Sequence, residues 1–212
     1  MNVAIDRDGV ERWMQAFAQA IADRREELIT LDTAIGDGDH GANMERGMRR
    51  AVEKLAEQRP DTPGAVLKAV GMTLIATVGG ASGPLYGTLM LALAAGFAER
   101  PQLELAQYAS AWRAAVEAVC ARGHAQPGDK TMIDALSPAA AALEQAAQRG
   151  GELGEALQEA AAAAREGMLA TVPLVARRGR ASYLGERSAG HQDPGATSAY
   201  HLIESAARAL AD

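Results

Sequence analysis

Between residues 8 and 31 the apolar side chains Val10, Trp13, Met14, Phe17, Ile21 and Leu28 recur at spacings of three, four and seven. Only a helix gathers such positions onto one face, and a face that wide has to be buried against other helices. The periodicity returns in seven further runs, near 43–58, 64–77, 85–99, 102–121, 131–148, 152–171 and 196–210. Nothing of strand length alternates apolar with polar residues, and no repeat period marks a solenoid. Hydrophobic residues make up 48% of the chain but aromatics only 4%. Alanine takes their place, which suits closely packed helices and disfavours sheet. The expectation is an all-α fold, an antiparallel eight-helix barrel or bundle forming one domain over residues 1–212. Pro138 falls inside the sixth run and predicts a kink or a helix start there, and Pro173 closes the seventh.

The connections divide into two kinds. Those near 59–63, 100–101 and 149–151 are short and hold ordinary breakers. The other four are richer: LDTAIGDGDHG (31–41), TVGGASGPLYG (77–87), ARGHAQPGDK (121–130) and RRGRASYLGERSAGHQDPGATS (177–198). These are the first, third, fifth and seventh connections. In an antiparallel bundle, odd-numbered connections emerge at one end, so the four rich loops are expected to meet. Each also leads into a helix, and helix N-termini facing a common point make an anion site, with phosphate the anion such sites commonly hold.

The first loop carries Asp32, Asp37 and Asp39 within eight residues. Taken alone, the three acids serve as well for a helix cap and Asx turns as for a metal. An EF-hand is excluded, because the twelfth position counted from Asp37 is Met48 where a bidentate Glu is needed. Magnesium fits better, since it takes a few carboxylates and completes its octahedron with water and phosphate oxygens. The second loop has Gly79, Gly80 and Gly83 but no following lysine, so it is not a P-loop. Its glycines suit either a tight turn or close backbone approach to phosphate, with Ser82 as an added donor. Arg177, Arg178, Arg180 and Arg187 give the fourth loop a cationic cluster, which is either a solvated face or a lip turned toward an anion. His40 and His191 lie in these loops, whereas Cys120 sits on an apolar helical face as a small core residue.

A net charge of −6 argues against a nucleic-acid surface. One cysteine excludes an internal disulfide and fits a reducing compartment. The N-terminus has charges where a signal peptide needs an apolar core, and no window approaches a membrane span. A cytoplasmic location without membrane contact is expected.

With these loops in view, the chain resembles the ADP-binding L subunits of bacterial dihydroxyacetone kinases. The resemblance runs along almost the whole chain and rests on LDTAIGDGDHGANMERG, GMTLIATVGGASGPLYGT, RGHAQPGDKTM and GRASYLGERSAGHQDPGATS. It implies a barrel closed at one end around ADP, transiently ATP, and two Mg²⁺ ions held by Asp32, Asp37 and Asp39. Nucleotide contacts then fall to His40, Gly41, Ala42 and Asn43, to Ala81 and Ser82, to Gly123 and Met132, and to Arg180, Asp193, Pro194 and Gly195. The implied partners are a K subunit holding dihydroxyacetone and the phosphohistidine donor DhaM, with pairing into a homodimer left open. With 212 residues there is no room for a K domain on the same chain, which favours the phosphotransferase-coupled form. An ATP-exchanging kinase subunit for a short ketose and a nucleotide-loaded regulatory module are the two other readings.

Overall fold

The structure, a computed structural model, describes residues 4–98 and 100–210. Among them are α1 (Arg7–Asp23), α2 (Arg25–Ile35), α3 (His40–Gln58), α4 (Pro63–Thr77), α5 (Ser82–Phe97), α6 (Leu105–Gly123), α7 (Ile133–Gln148), α8 (Leu153–Ala170) and α9 (Pro194–Ala209). From α3 onward, successive helices pack side by side, and α1 closes the ring by lying against both α3 and α9. The seam is marked by Trp13, whose Nε1 donates to the Leu202 carbonyl of α9 at 2.9 Å.

The expected runs are all helical, with one division. The run over 8–31 is two helices, because the backbone turns at Arg24 (φ −103°, ψ 10°). Ile21 and Leu28, seven residues apart, remain on the buried side across that bend, so their spacing carries no trace of it. α6 starts at Leu105, later than expected, because Gln102–Leu103 (β2) instead pairs antiparallel with Ile5–Asp6 (β1) in a two-residue ribbon.

Several helix starts follow local rules. Asp6 accepts from the Gly9 amide at 2.8 Å, and Thr62, with Pro63 behind it, accepts from Ala65 at 3.1 Å. Pro138 lies inside α7, not at its start. Having no N–H, it leaves the Asp134 carbonyl without its helical donor. Gly167 of α8 packs onto that place, where any Cβ would overlap the Asp134 oxygen and crowd the proline ring. The α7–α8 contact is therefore as close as a glycine permits.

The fourth rich loop is more ordered than its composition suggests. Arg180–Ser188 forms 3₁₀ turns interrupted at Gly185, which has φ +55°. A small second apolar cluster, Ile35, Ala176 and Ala181 with Leu184 against it, fastens this segment to the end of α2. That anchorage sets the loop beside the first acidic loop.

Candidate functional site

The first loop folds back on α2. The buried Asp32 carboxylate accepts the amides of Asp39 (2.9 Å) and His40 (3.1 Å) through the same oxygen, so the last turn of α2 holds the entry to α3. Gly38, at φ +76° and pressed on the Thr33 hydroxyl, makes the turn between them. Asp37 and Asp39 are thereby brought back to Asp32, and one oxygen from each of the three lies within 4.8 Å of the others. This is a hard, oxygen-only donor set, which suits magnesium and not the softer transition metals. Arg180 reaches the group, with its Nη2 2.9 Å from Asp37 Oδ2.

His40, at the start of α3, is buried in a relay with α5 and α9. The Tyr86 hydroxyl donates to Ser198 Oγ at 2.7 Å, and Ser198 donates to the Gly195 carbonyl at 3.1 Å. The ring Nε2, 2.9 Å from Ser198 Oγ, is then the donor to it. That leaves Nδ1 to accept from the Ser82 hydroxyl at 3.1 Å. Ser82 thus turns its proton inward. What it offers the cavity is its backbone N–H and an oxygen lone pair, where the sequence suggested a hydroxyl donor. Burial pushes the His40 imidazole below its ordinary pKa, against the opposing pull of Asp32 and Asp39.

The third loop is clasped by Asp134, whose carboxylate accepts from Gly128 (2.5 Å) and Thr131 (2.7 Å). The fourth ends at Asp193, which caps α9 by accepting from Ala196 at 2.7 Å. Together the four loops enclose one cavity of about 330 Å³. The starts of α3, α5, α7 and α9 all line it, as the alternation of rich and plain connections predicts. Three of its four lining acids, Asp32, Asp37 and Asp39, come from the α2–α3 side and the fourth, Asp193, from the start of α9. Leu85, Val119, Met132 and Ile133 give it an apolar wall from α5, α6 and the start of α7.

Of the residues singled out in the sequence, Asp32, Asp37, Asp39, His40, Ala81, Ser82, Gly123, Met132, Arg180, Asp193, Pro194 and Gly195 line the cavity. Gly41, Ala42 and Asn43 are not among the lining residues. Gly41 is pressed against the Arg25 carbonyl, and Asn43 is buried, accepting from Arg46 at 2.7 Å. The apolar wall, Arg122 and the relay partners Tyr86 and Ser198 went unread. Ser82 and Tyr86, four apart at the start of a helix, are the only local sign of the relay.

Burial raises the Asp193 carboxyl to about 7, with Asp134 adding to the effect and the Ala196 amide and Lys130 opposing it. Its unfolded value is near 3.8, so the folded chain holds this proton more tightly than the unfolded chain does. Ionising it costs stability as pH rises through that window. Asp193→Asn keeps a cap acceptor but cannot titrate. Its melting temperature relative to the parent is expected to climb between pH ~4 and ~7 and then level off. A constant offset across that range would contradict the assignment.

Comparison with known proteins adds the lineage. The family profile of the DAK2 domain matches residues 34–208. The chain is 41% identical over 202 residues to the "PEP-dependent dihydroxyacetone kinase, ADP-binding subunit DhaL" of Escherichia coli, covering 95% of this chain and 96% of that one. It is 40% identical to an ADP-binding subunit of Listeria innocua, "PEP-dependent dihydroxyacetone kinase 1", over 93% of this chain and 94% of the relative. Among solved structures, the dihydroxyacetone kinase of C. freundii in complex with AMP-PNP and Mg²⁺ superposes with a TM-score of 0.67 at 25% identity. That match takes in 95% of this chain and 33% of the larger protein.

Proposed function

The chain belongs to the DAK2-domain family, and on that premise we propose that it is the ADP- and magnesium-carrying subunit of a dihydroxyacetone kinase. The observation that carries this reading is the meeting of the Asp32, Asp37 and Asp39 carboxylates with four helix N-termini across one cavity. Acids alone repel a polyphosphate, and helix ends alone repel a cation. A metal-bound diphosphate satisfies both. The apolar wall of Leu85, Val119, Met132 and Ile133 supplies a surface for a base.

Two magnesium ions on the three aspartates, when bound, supply positive charge against the transferring phosphoryl group. The rest of the work falls to positioning. Asp32 locks the start of α3 through its two amide bonds, and the relay through His40 sets the orientation of Ser82. Arg180 brings a cation to the acidic side from the neighbouring loop. The whole chain acts as one nucleotide-binding unit. A phosphohistidine on DhaM recharges the resident ADP to ATP, and the phosphoryl group passes to dihydroxyacetone on a separate K subunit. No helix among the described residues is long and apolar enough to cross a membrane.

The test is to denature purified, desalted protein, identify released nucleotide by chromatography and count magnesium in the same sample. About one ADP and two magnesium ions per chain are expected, because a resident cofactor survives desalting only when tightly held. No affinity for nucleotide in the presence of magnesium would sink the proposal.

One observation favours a second reading. The C. freundii kinase, of which this chain matches a third, was solved with the ATP analogue AMP-PNP. An ATP-exchanging subunit would emerge empty from desalting, bind ATP reversibly, and turn over with free ATP and a K subunit without any phosphohistidine donor.

A further inference from the structure

Lys130 is the one lysine or arginine buried among the described residues, with 1% of its surface exposed. Its backbone is left-handed (φ +62°), a conformation that side-chain-bearing residues avoid. The side chain meets backbone oxygens. Nζ donates to the carbonyls of Thr171 (2.8 Å), Leu174 (3.1 Å) and His191 (2.5 Å), with Val172 at 3.4 Å. A buried ammonium with no carboxylate within ion-pair distance among the described residues is a costly way to fill space. What the charge does that a methyl group cannot is bind several carbonyls from separate segments at once.

Those carbonyls belong to the turn leaving α8 and to the turn before α9. Further bonds run alongside. Asp129 accepts the Arg177 amide at 3.0 Å, Val172 accepts Gly190 at 2.8 Å, and the Thr171 hydroxyl accepts Asp193 at 3.0 Å. Between the two turns lies the arch 175–190, which carries Arg178 and Arg180 to the cavity. Lys130 thus closes the base of that arch.

We infer that Lys130 is a positioning residue of the site: its ammonium, set among the carbonyls of Thr171, Leu174 and His191, holds the two ends of the 175–190 arch so that Arg180, on the arch, and Asp193, just beyond it, face the cavity. The inference rests on the reading of that cavity as a nucleotide site. Lys130 is among the residues that line the cavity, but its ammonium is taken up by these carbonyls, so it acts through the arch and not on the reacting groups.

The test uses the full chain. Mg-ADP binding is measured by calorimetry for the parent and for Lys130→Met, which keeps the stem and removes the charge. Backbone hydrogen exchange is followed in both. At least a tenfold loss of affinity is expected, with faster exchange at Ala176, Arg177 and Gly190 and unchanged exchange at Leu67 and Val70 in α4. A residue that only stabilised the fold would lower the melting temperature and leave affinity in the folded protein unaltered. Lys130→Met binding within twofold of the parent therefore overturns the inference. Should that variant not fold, the parent decides. Ala176 and Gly190 do not line the cavity, yet coupling is reciprocal, so Mg-ADP has to slow their exchange. Unchanged exchange at both overturns the inference. A parent that binds no Mg-ADP overturns the proposed function first, and this inference with it.

Discussion

Asp37→Asn is expected to cut phosphoryl transfer by more than ~100-fold while leaving helical content and melting temperature near those of the parent. Removing a group behind a metal ligand costs ~10–100-fold in many metal sites, and loss of a ligand itself exceeds that. Asp37 is a cleaner choice than Asp32. The Asp32 carboxylate also holds the amides of Asp39 and His40, so its loss would disturb the loop as well as the charge. Asp37 has one bonded partner in the structure, Arg180 at 2.9 Å. That pairing offers a competing explanation, in which Asp37 serves only to hold Arg180. The two separate on magnesium. If Asp37 is a ligand, the variant needs far more Mg²⁺ for half-maximal transfer, and excess metal restores part of the rate. If it only steers Arg180, the magnesium requirement stays put and Arg180→Gln mimics the defect. Parent-level transfer in Asp37→Asn would remove the triad from the mechanism altogether.

The acids were legible in the sequence because the pattern that unites them is local. Asp32, Asp37 and Asp39 fall within one loop, and a glycine at positive φ between the last two lets that loop double back. The meeting of the four rich loops was legible for another reason: in an antiparallel ring, parity alone decides which end a connection occupies. What stayed hidden is what depends on contacts between distant segments. The His40 relay joins residues 42 and 158 positions apart, and no spacing rule reaches across that distance. Lys130 read as the last residue of a loop, since its carbonyl partners lie 41 to 61 residues further on. The bend at Arg24 was invisible because both halves keep the same apolar phase. Gly41, Ala42 and Asn43 follow His40 directly, yet a helix turns each successive residue by about 100°, so neighbours in sequence need not share a wall. Asn43 went to Arg46, and Gly41 to the packing of α3 on α2.

Trp13→Ala is expected to have the opposite profile, a large loss of stability with the chemistry intact in the folded fraction. Trp13 is fully buried, stands edge-on to Tyr108 at 6.4 Å between ring centres, and lies 6.1 Å from Trp112. Truncation of a core tryptophan typically costs ~3–5 kcal/mol, most of it in the cavity left behind. The Leu202 carbonyl is not orphaned by the change, because within α9 it still faces a helical amide, so the lost indole bond adds little. Against a typical total of ~5–15 kcal/mol, this is about a fifth of the stability or more, and the melting temperature should fall by on the order of 10 °C. The seam it loosens joins α1 to α9, and α9 begins at Asp193, Pro194 and Gly195 in the cavity wall. Ligand and seam are therefore linked through one helix. Mg-ADP at 100 times its dissociation constant returns ~2.7 kcal/mol to any variant that still binds it. Trp13→Ala should thus recover much of its lost melting temperature on adding Mg-ADP, whereas Asp37→Asn, stable without it, should gain little. A Trp13→Ala protein that melts within about 2 °C of the parent would mean the barrel does not close at this seam.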